Sequence, residues 1–397
     1  MKPHAASGVS APRSPAPPGG SGVRPGASGP IPLSSPFIDE RDEELVLDVL
    51  RSGRLSLGPT IDRFEELFAE KVGAPYAAAV SSGTAGLHLL CAIAGLQTGD
   101  EVITSPYSFV ASANCFIYEG ATPVFADVDE RTMNLDPAAV EATVTERTKA
   151  IVAVDIFGYP CELDPLRELC ARHGLALIQD ACEALGTEYK GEIVGSHGVD
   201  AVFAFYPNKQ ITTGEGGMVT THDEETWDRL VSLRNQGRAD GGGWLEHARL
   251  GYNYRIDDIR AALGIGQLEK LDTILSLRQT AAMRYGELLA EVDGLEPPLA
   301  DDADHVRSWF VYVVTLARGT DRERVIAELE RQGIATSRYL PSIHLQAYMR
   351  ERYGFSEGLC PVSEDLSQRT LALPFFTAIE TEDQGRVAEA LAAALSR

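Results

Sequence analysis

In FAFYPNKQITTGEGG, residues 203–217, an apolar run ends on a lone lysine, Lys209, and a glycine-rich turn follows. A buried ammonium is costly unless a counter-charge neutralises it or a reaction uses it. What else points at the same place decides between a snorkelling strand-end lysine and a reacting amine. One strand earlier, LALIQDACEALG (175–186) runs into Asp180. This acid is either a cap for the next segment or an anion that keeps a pyridine nitrogen protonated. SSGT (81–84) joins another apolar run to a helix start. Gly83 lets a ligand approach the backbone, Thr84 adds a hydroxyl, and the free amides and helix dipole suit a phosphate; a plain capped helix is the alternative. SPYSFVAS (105–112) offers Tyr107 and Phe109, either as core or as a ring stacked on a flat cofactor.

These residues meet only if the elements carrying them align. Short apolar runs at Tyr76–Val80, Glu101–Thr104, Pro123–Val128, Ala150–Ile156, Leu175–Gln179, Ala201–Tyr206 and Gly217–Thr221 alternate with helical patterns. The helix opened by Thr84 shows Leu87, Leu90, Cys91 and Ala94 on one face. Earlier helical periodicity covers Glu43–Leu50 and Thr60–Lys71. Seven strands interleaved with helices predict an α/β fold with a mostly parallel sheet covered on both faces. Ligands of such sheets bind beyond the carboxyl ends of the strands. All four motifs fall at such ends. Together they match what pyridoxal 5'-phosphate requires: a lysine for its aldehyde, an acid for its ring nitrogen, a stacking ring and a phosphate cradle.

Residues 1–30 are mostly Pro, Gly, Ser and Ala, which predicts a disordered N-terminal tail. Residues 31–275 read as a large cofactor-binding domain with an N-terminal arm. Residues 276–397 read as a smaller C-terminal α+β domain, carrying Trp309–Thr315, Arg322–Gln332 and Thr381–Ala393. One long helical pattern runs from about residue 258 to near Val292. The net charge of −23 argues against nucleic-acid or anionic-membrane partners, since polyanions are repelled. No apolar stretch is long enough for a transmembrane helix. Six cysteines show no zinc spacing and no metal site is expected; buried reduced thiols in a cytoplasmic protein fit them.

The chain resembles the DegT/DnrJ/EryC1/StrS sugar aminotransferases over roughly residues 35 to 390. The matching stretches are SSGTAGLHL (81–89), GDEVITSPYSFVASAN (99–114), GATPVFADVD (120–129), QDACEALG (179–186), YPNKQITTGEGGM (206–218), GYNYRIDDIRAALG (251–264) and RQTAAMRY (278–285). The resemblance implies a fold-type I pyridoxal phosphate enzyme, typically a homodimer with shared active sites. It implies Lys209 as the lysine that carries the cofactor, Asp180 at the pyridine nitrogen, Phe109 on the ring, and Gly83 and Thr84 at the phosphate. Asn253 would reach the partner's phosphate, with Arg255 at the same interface. The sequence departs from the pattern at Ala204, where a serine is common, at Gln179, where Glu commonly precedes the Asp, and at Glu183, where Gln or His is usual near the ring hydroxyl. A carboxylate beside a phenolate repels it, so Glu183 must be protonated, turned away or compensated.

Family members that dehydrate carry His in place of the lysine, so Lys209 favours transamination. The implied reaction converts a nucleotide-linked ketosugar, of 4-keto or 3-keto-6-deoxy type, into an amino sugar with L-glutamate as donor. Arg238, Arg307 and Arg338, and more remotely Lys190, are candidates for the substrate diphosphate. Tyr339 and His344, in SRYLPSIHLQAY, are candidates for the sugar pocket, His344 being equally readable as a core histidine. Asp155, in AVDIFGYP, ends a strand and is a candidate for cofactor or substrate contact. Two alternatives stay open: an aminocyclitol-type ketone as substrate, and a catalytically silent regulatory protein that binds the same cofactor.

Overall fold

The computed structural model describes residues 29–238 and 245–396. Residues 1–28 of the expected tail lie outside the described residues. The large sheet has strands β1 (Tyr76–Val80), β2 (Glu101–Thr104), β3 (Thr122–Phe125), β4 (Thr148–Val154), β5 (Ala176–Asp180), β6 (Asp200–Ala204) and β7 (Gly217–Thr221), in the order β1-β7-β6-β5-β4-β2-β3. The pairs from β6 to β3 are parallel. β7 is antiparallel to both β1 and β6. Its reversed direction brings Gly217 opposite Val80 and Ala204, so the start of β7 shares the edge where the other strands end.

Side chains alternate between the two faces of each strand. One face sends Val80, Val102, Val152, Ile178 and Val202 against helices α3 (Gly83–Ile93) and α4 (Ala111–Ile117). The other sends Ala79, Ala201, Phe203 and Met218 against Phe64 and Phe68 of the helix Pro59–Val72. Further along that face, Ile103, Ile151 and Ala153 meet Leu166 and Leu169 of the helix Leu163–His173. The continuous apolar character of β4 follows from burial on both sides. α3 starts where Ser82 caps it, its hydroxyl accepting from the Ala85 amide at 3.1 Å.

The C-terminal part forms a three-stranded antiparallel sheet of Leu295–Glu296, Tyr312–Leu316 and Thr370–Leu373. The helices Leu271–Leu289, Arg322–Arg331 and Thr381–Leu395 bury Tyr285, Leu329 and Leu391 against it. The long helical pattern after residue 258 is two helices, Asp258–Glu269 and Leu271–Leu289. They part at Lys270, whose backbone leaves helical geometry while its ammonium pairs with Asp39 at 2.8 Å and with Asp42. No proline or glycine marks that break. The division expected between residues 275 and 276 falls inside the second helix. Ile31 pairs with the C-terminal part, donating to Gly333 at 2.8 Å. The strand expected from Trp309 begins at Tyr312, because Trp309 adopts a left-handed φ of 53°. A fifth cluster, with Tyr107, Val154 and Phe157 on one side and Phe310, Leu340 and Leu366 on the other, joins the two parts beside the strand ends. Among the described residues no helix is long and apolar enough to cross a membrane.

Candidate active site

Three strand ends and one returning segment converge on Lys209. The lysine follows β6 in a turn closed by its own amide donating to the Tyr206 carbonyl at 2.9 Å. Its ammonium lies 3.3 Å from Oε1 of Glu183 and 3.9 Å from the centre of the Phe310 ring. Both side chains of the ion pair are nearly enclosed, 13% exposed for Lys209 and 11% for Glu183. The second oxygen of Glu183 accepts from the Phe157 amide at 2.8 Å, and its backbone carbonyl accepts from Gln210 Nε2 at 2.6 Å. Burial pushes the Glu183 carboxyl above the usual carboxylate range even though Lys209 opposes the shift.

Phe310 comes from the C-terminal part and is held there by Arg278 of RQTAAMRY. The buried guanidinium donates to the carbonyls of Trp309 at 2.8 Å and Phe310 at 2.7 Å, and to Thr377 Oγ1 at 3.2 Å. Burial lowers the Arg278 pKa to about 10. Tyr339 arrives from the same side. Its ring meets Phe157 edge-on at 6.0 Å, and its hydroxyl faces the Asn208 side chain. Burial, then the Glu183 charge, pushes that hydroxyl up to about 12.

Asp180 closes β5 on the face of Ile178, toward α4. Ser112 Oγ donates to its Oδ2 at 2.7 Å, and the Cys182 amide to its Oδ1 at 3.2 Å. Among the described residues no cationic side chain pairs with this buried carboxylate. A buried anion held only by neutral donors suits a protonated ring nitrogen. Phe109, just before α4, is 61% exposed and offers a flat apolar face for stacking. Gly83 starts α3 hard against the strand ends. A Cβ there would lie 2.7 Å from Cys182 Sγ and 2.9 Å from the Ala204 methyl, and one at Gly217 would lie 2.8 Å from the Gly83 amide nitrogen. Only glycines permit this approach, which seats the first-turn amides of Gly83 and Thr84 at the sheet edge. Lysine, unpaired acid, open ring and amide cradle fit pyridoxal 5'-phosphate.

Asn253 is exposed on a loop anchored to this edge, since the Ser81 amide donates to the Tyr254 carbonyl at 2.8 Å. Arg255 donates to Asn235 Oδ1 at 3.1 Å. Burial, then the neighbouring charge of Arg238, lowers the Arg255 pKa.

Five candidates lie elsewhere. Asp155 is fully buried, with Cys161 N and Gln179 Nε2 each 2.9 Å from its oxygens. Gln179 and Asp180 point to opposite faces of β5, so the partner of Asp155 places it under the sheet and away from the Asp180 side. Burial raises its pKa to about 7. Arg307 is buried between the Tyr159 and Trp309 rings, 4.8 Å from each, and cannot meet a diphosphate from there. Arg338 forms a two-point pair with Glu323 on the surface. His344 is wholly buried, 2.9 Å from Glu364 and beside Phe125, which is the core-histidine alternative. Lys190 pairs with Asp164 at 2.6 Å on the surface. Sequence reasoning missed Ser112, Asn208 and Phe310. Asn208 adjoins the lysine, a usable signal; the other two reach the site only through tertiary packing.

The sequence pattern of the DegT/DnrJ/EryC1/StrS aminotransferase family matches residues 36–392. The chain is 39% identical over 374 residues to the spore coat polysaccharide biosynthesis protein SpsC of Bacillus subtilis, covering 91% of this chain and 96% of that one. It is 37% identical over 366 residues to GDP-perosamine synthase of Caulobacter vibrioides, covering 91% and 97%. Among solved structures, the PLP form of the putative sugar aminotransferase Spr1654 from Streptococcus pneumoniae superposes with a TM-score of 0.88 at 26% identity, covering 92% of this chain and 99% of that one.

Proposed function

The chain belongs to the DegT/DnrJ/EryC1/StrS aminotransferase family of pyridoxal 5'-phosphate enzymes, and within it we propose that this protein aminates a nucleotide-linked ketosugar of the 4-keto or 3-keto-6-deoxy type, with L-glutamate as amino donor. The observation that carries the reading is the convergence of Lys209, Asp180, Phe109 and the Gly83 turn on one sheet edge, in a chain whose relatives bear names of sugar metabolism.

When bound, the cofactor supplies an aldehyde that condenses with amines and a ring that accepts the electron pair of a breaking C–H bond. The chain's residues do the rest. Lys209 would hold the aldehyde and, as a free amine, would be the base that takes and returns the substrate proton. Asp180 keeps the ring nitrogen protonated, and Ser112 holds Asp180 in line. Phe109 covers the ring, and the Gly83 and Thr84 amides hold the phosphate. Asn253 completes the phosphate site of a partner copy, which makes the working unit a homodimer in the cytoplasm. Tyr339 lines the sugar side, and Arg238 meets the diphosphate.

A panel of nucleotide-linked ketosugars and free cyclitol ketones, each given with L-glutamate and scored for amine product, tests the substrate. Amine from a nucleotide-linked sugar alone supports the reading. Amine from the free cyclitol alone assigns the other substrate class. A yellow protein that L-glutamate never bleaches overturns both in favour of a silent binder.

A further inference from the structure

We propose that Glu183 is a second acid–base group of this site, sharing one proton with Lys209 across the Nζ–Oε1 contact and so setting whether the lysine stands as ammonium or as amine. The inference rests on the assignment of Lys209 as the cofactor lysine. The contact is 3.3 Å, and the carboxylate end of it is held in place. Phe157 fixes the far oxygen of Glu183 from a left-handed backbone position, φ 56°, that points its amide at the carboxylate. Gln210 ties down the Glu183 carbonyl and is itself held 2.7 Å from Ser308 Oγ. The Phe310 ring bounds Lys209 on its other side.

The exchange balances within the pair. An N–H bond of the ammonium breaks and an O–H bond forms on Glu183. A cation and an anion become an amine and a carboxylic acid, and the pair keeps zero net charge. In water the charged form wins by about six units of pKa. Burial penalises the carboxylate and raises the pKa of Glu183. The other titratable groups facing Glu183 are Asp180 and Cys182 beyond β5, Tyr107 beyond β2, and Tyr339 from the C-terminal part. None of them is a cation, and the charge of Asp180 disfavours a second carboxylate beside it. The Phe310 face pulls the other way, toward the ammonium. The proton therefore sits between opposing preferences of similar kind, which suits an amine that must give and take a proton in turn.

The test is the reactivity of Lys209 in the full chain stripped of cofactor. Lys209 is labelled with trinitrobenzenesulfonate across pH, and the labelled peptide is quantified by mass spectrometry. Glu183→Gln keeps the size of the side chain and the acceptor for Phe157 but cannot take the proton. Its labelling midpoint is expected to fall by about one unit or more, because the ammonium loses its counter-ion. Glu183→Asp keeps a carboxyl and is expected to stay nearer the wild type, which covers the case that the glutamine variant fails to fold. Coincident midpoints in wild type and variants would overturn the proposal, since a purely structural Glu183 is replaced by glutamine without moving them. Borohydride trapping on the reconstituted wild type separates the two ideas. Absence of cofactor from Lys209 sinks the functional reading, while the midpoints still decide the pair.

Discussion

Two buried ion pairs in this chain contain nearly the same chemistry and do different work. Glu65 and Glu183 are each 8% exposed and each paired with a cation. Glu65, on the helix Pro59–Val72, accepts from Arg234 and from the Ala79 amide at 2.8 Å, while Arg234 also donates to the Ala79 carbonyl at 2.6 Å. That pair bolts two helices to β1, each partner also bonded to the Ala79 backbone. The Glu183 pair is longer, makes a single contact, and sets the lysine against an aromatic face instead of a carbonyl. An arginine pair tied to the backbone on both sides holds structure. A sparsely bonded lysine pair leaves an amine able to change partners, in keeping with the readier pKa shifts of lysine.

The largest expected effect separates the pairs by function. Lys209→Ala is expected to lower turnover by ~10⁴-fold or more, while unfolding by urea shows a stability loss of only about 1 kcal/mol, because Glu183, whose pKa burial already raises, takes up a proton instead of standing as a bare charge. A loss as large as that of the other pair would erase the distinction. Arg234→Ala is expected to cost about 3–5 kcal/mol in the same unfolding experiment, because it leaves Glu65 buried without its cation. Little change there would show that the staple is dispensable.

Asp155 sharpens the comparison as a buried acid with no cation in contact among the described residues. Its folded-state pKa, about 7, is raised above the unfolded value near 3.8. A raised pKa contributes stability that is full below the unfolded value and is lost as pH rises through 7. Asp155→Asn cannot ionise, so its stability relative to wild type is expected to improve by roughly 4 kcal/mol between pH 4 and pH 8, read from urea midpoints. A gap that does not change with pH would show that Asp155 ionises as freely folded as unfolded. The smallest expected effect is on the acid at 180. Ser112→Ala removes one donor to its carboxylate and is expected to weaken cofactor retention by roughly tenfold in dialysis.

Much of this was readable from the chain. All seven strand runs formed strands, and Tyr76–Val80, Glu101–Thr104 and Gly217–Thr221 kept their bounds, because buried strands flanked by Gly, Ser and Asp signals are locally determined. The shared location of Lys209, Asp180 and Gly83 followed from their places at strand ends. What was not readable depended on facing direction and long-range packing. Asp155 ends a strand as Asp180 does, but the strand alternation turns it to the other face. Arg307 and His344 are polar residues whose rings and partners lie far off in sequence. Phe310 reaches Lys209 only because Arg278 pins its segment. The departure at Glu183 was visible as a residue type, whereas its direct contact with Lys209 needed the fold.

Reduction with borohydride followed by peptide mapping tests the central claim most directly. The account predicts the reduced pyridoxyl phosphate adduct on the peptide bearing Lys209, and its absence after Lys209→Ala. Cofactor recovered on a different lysine, or on none, would contradict it.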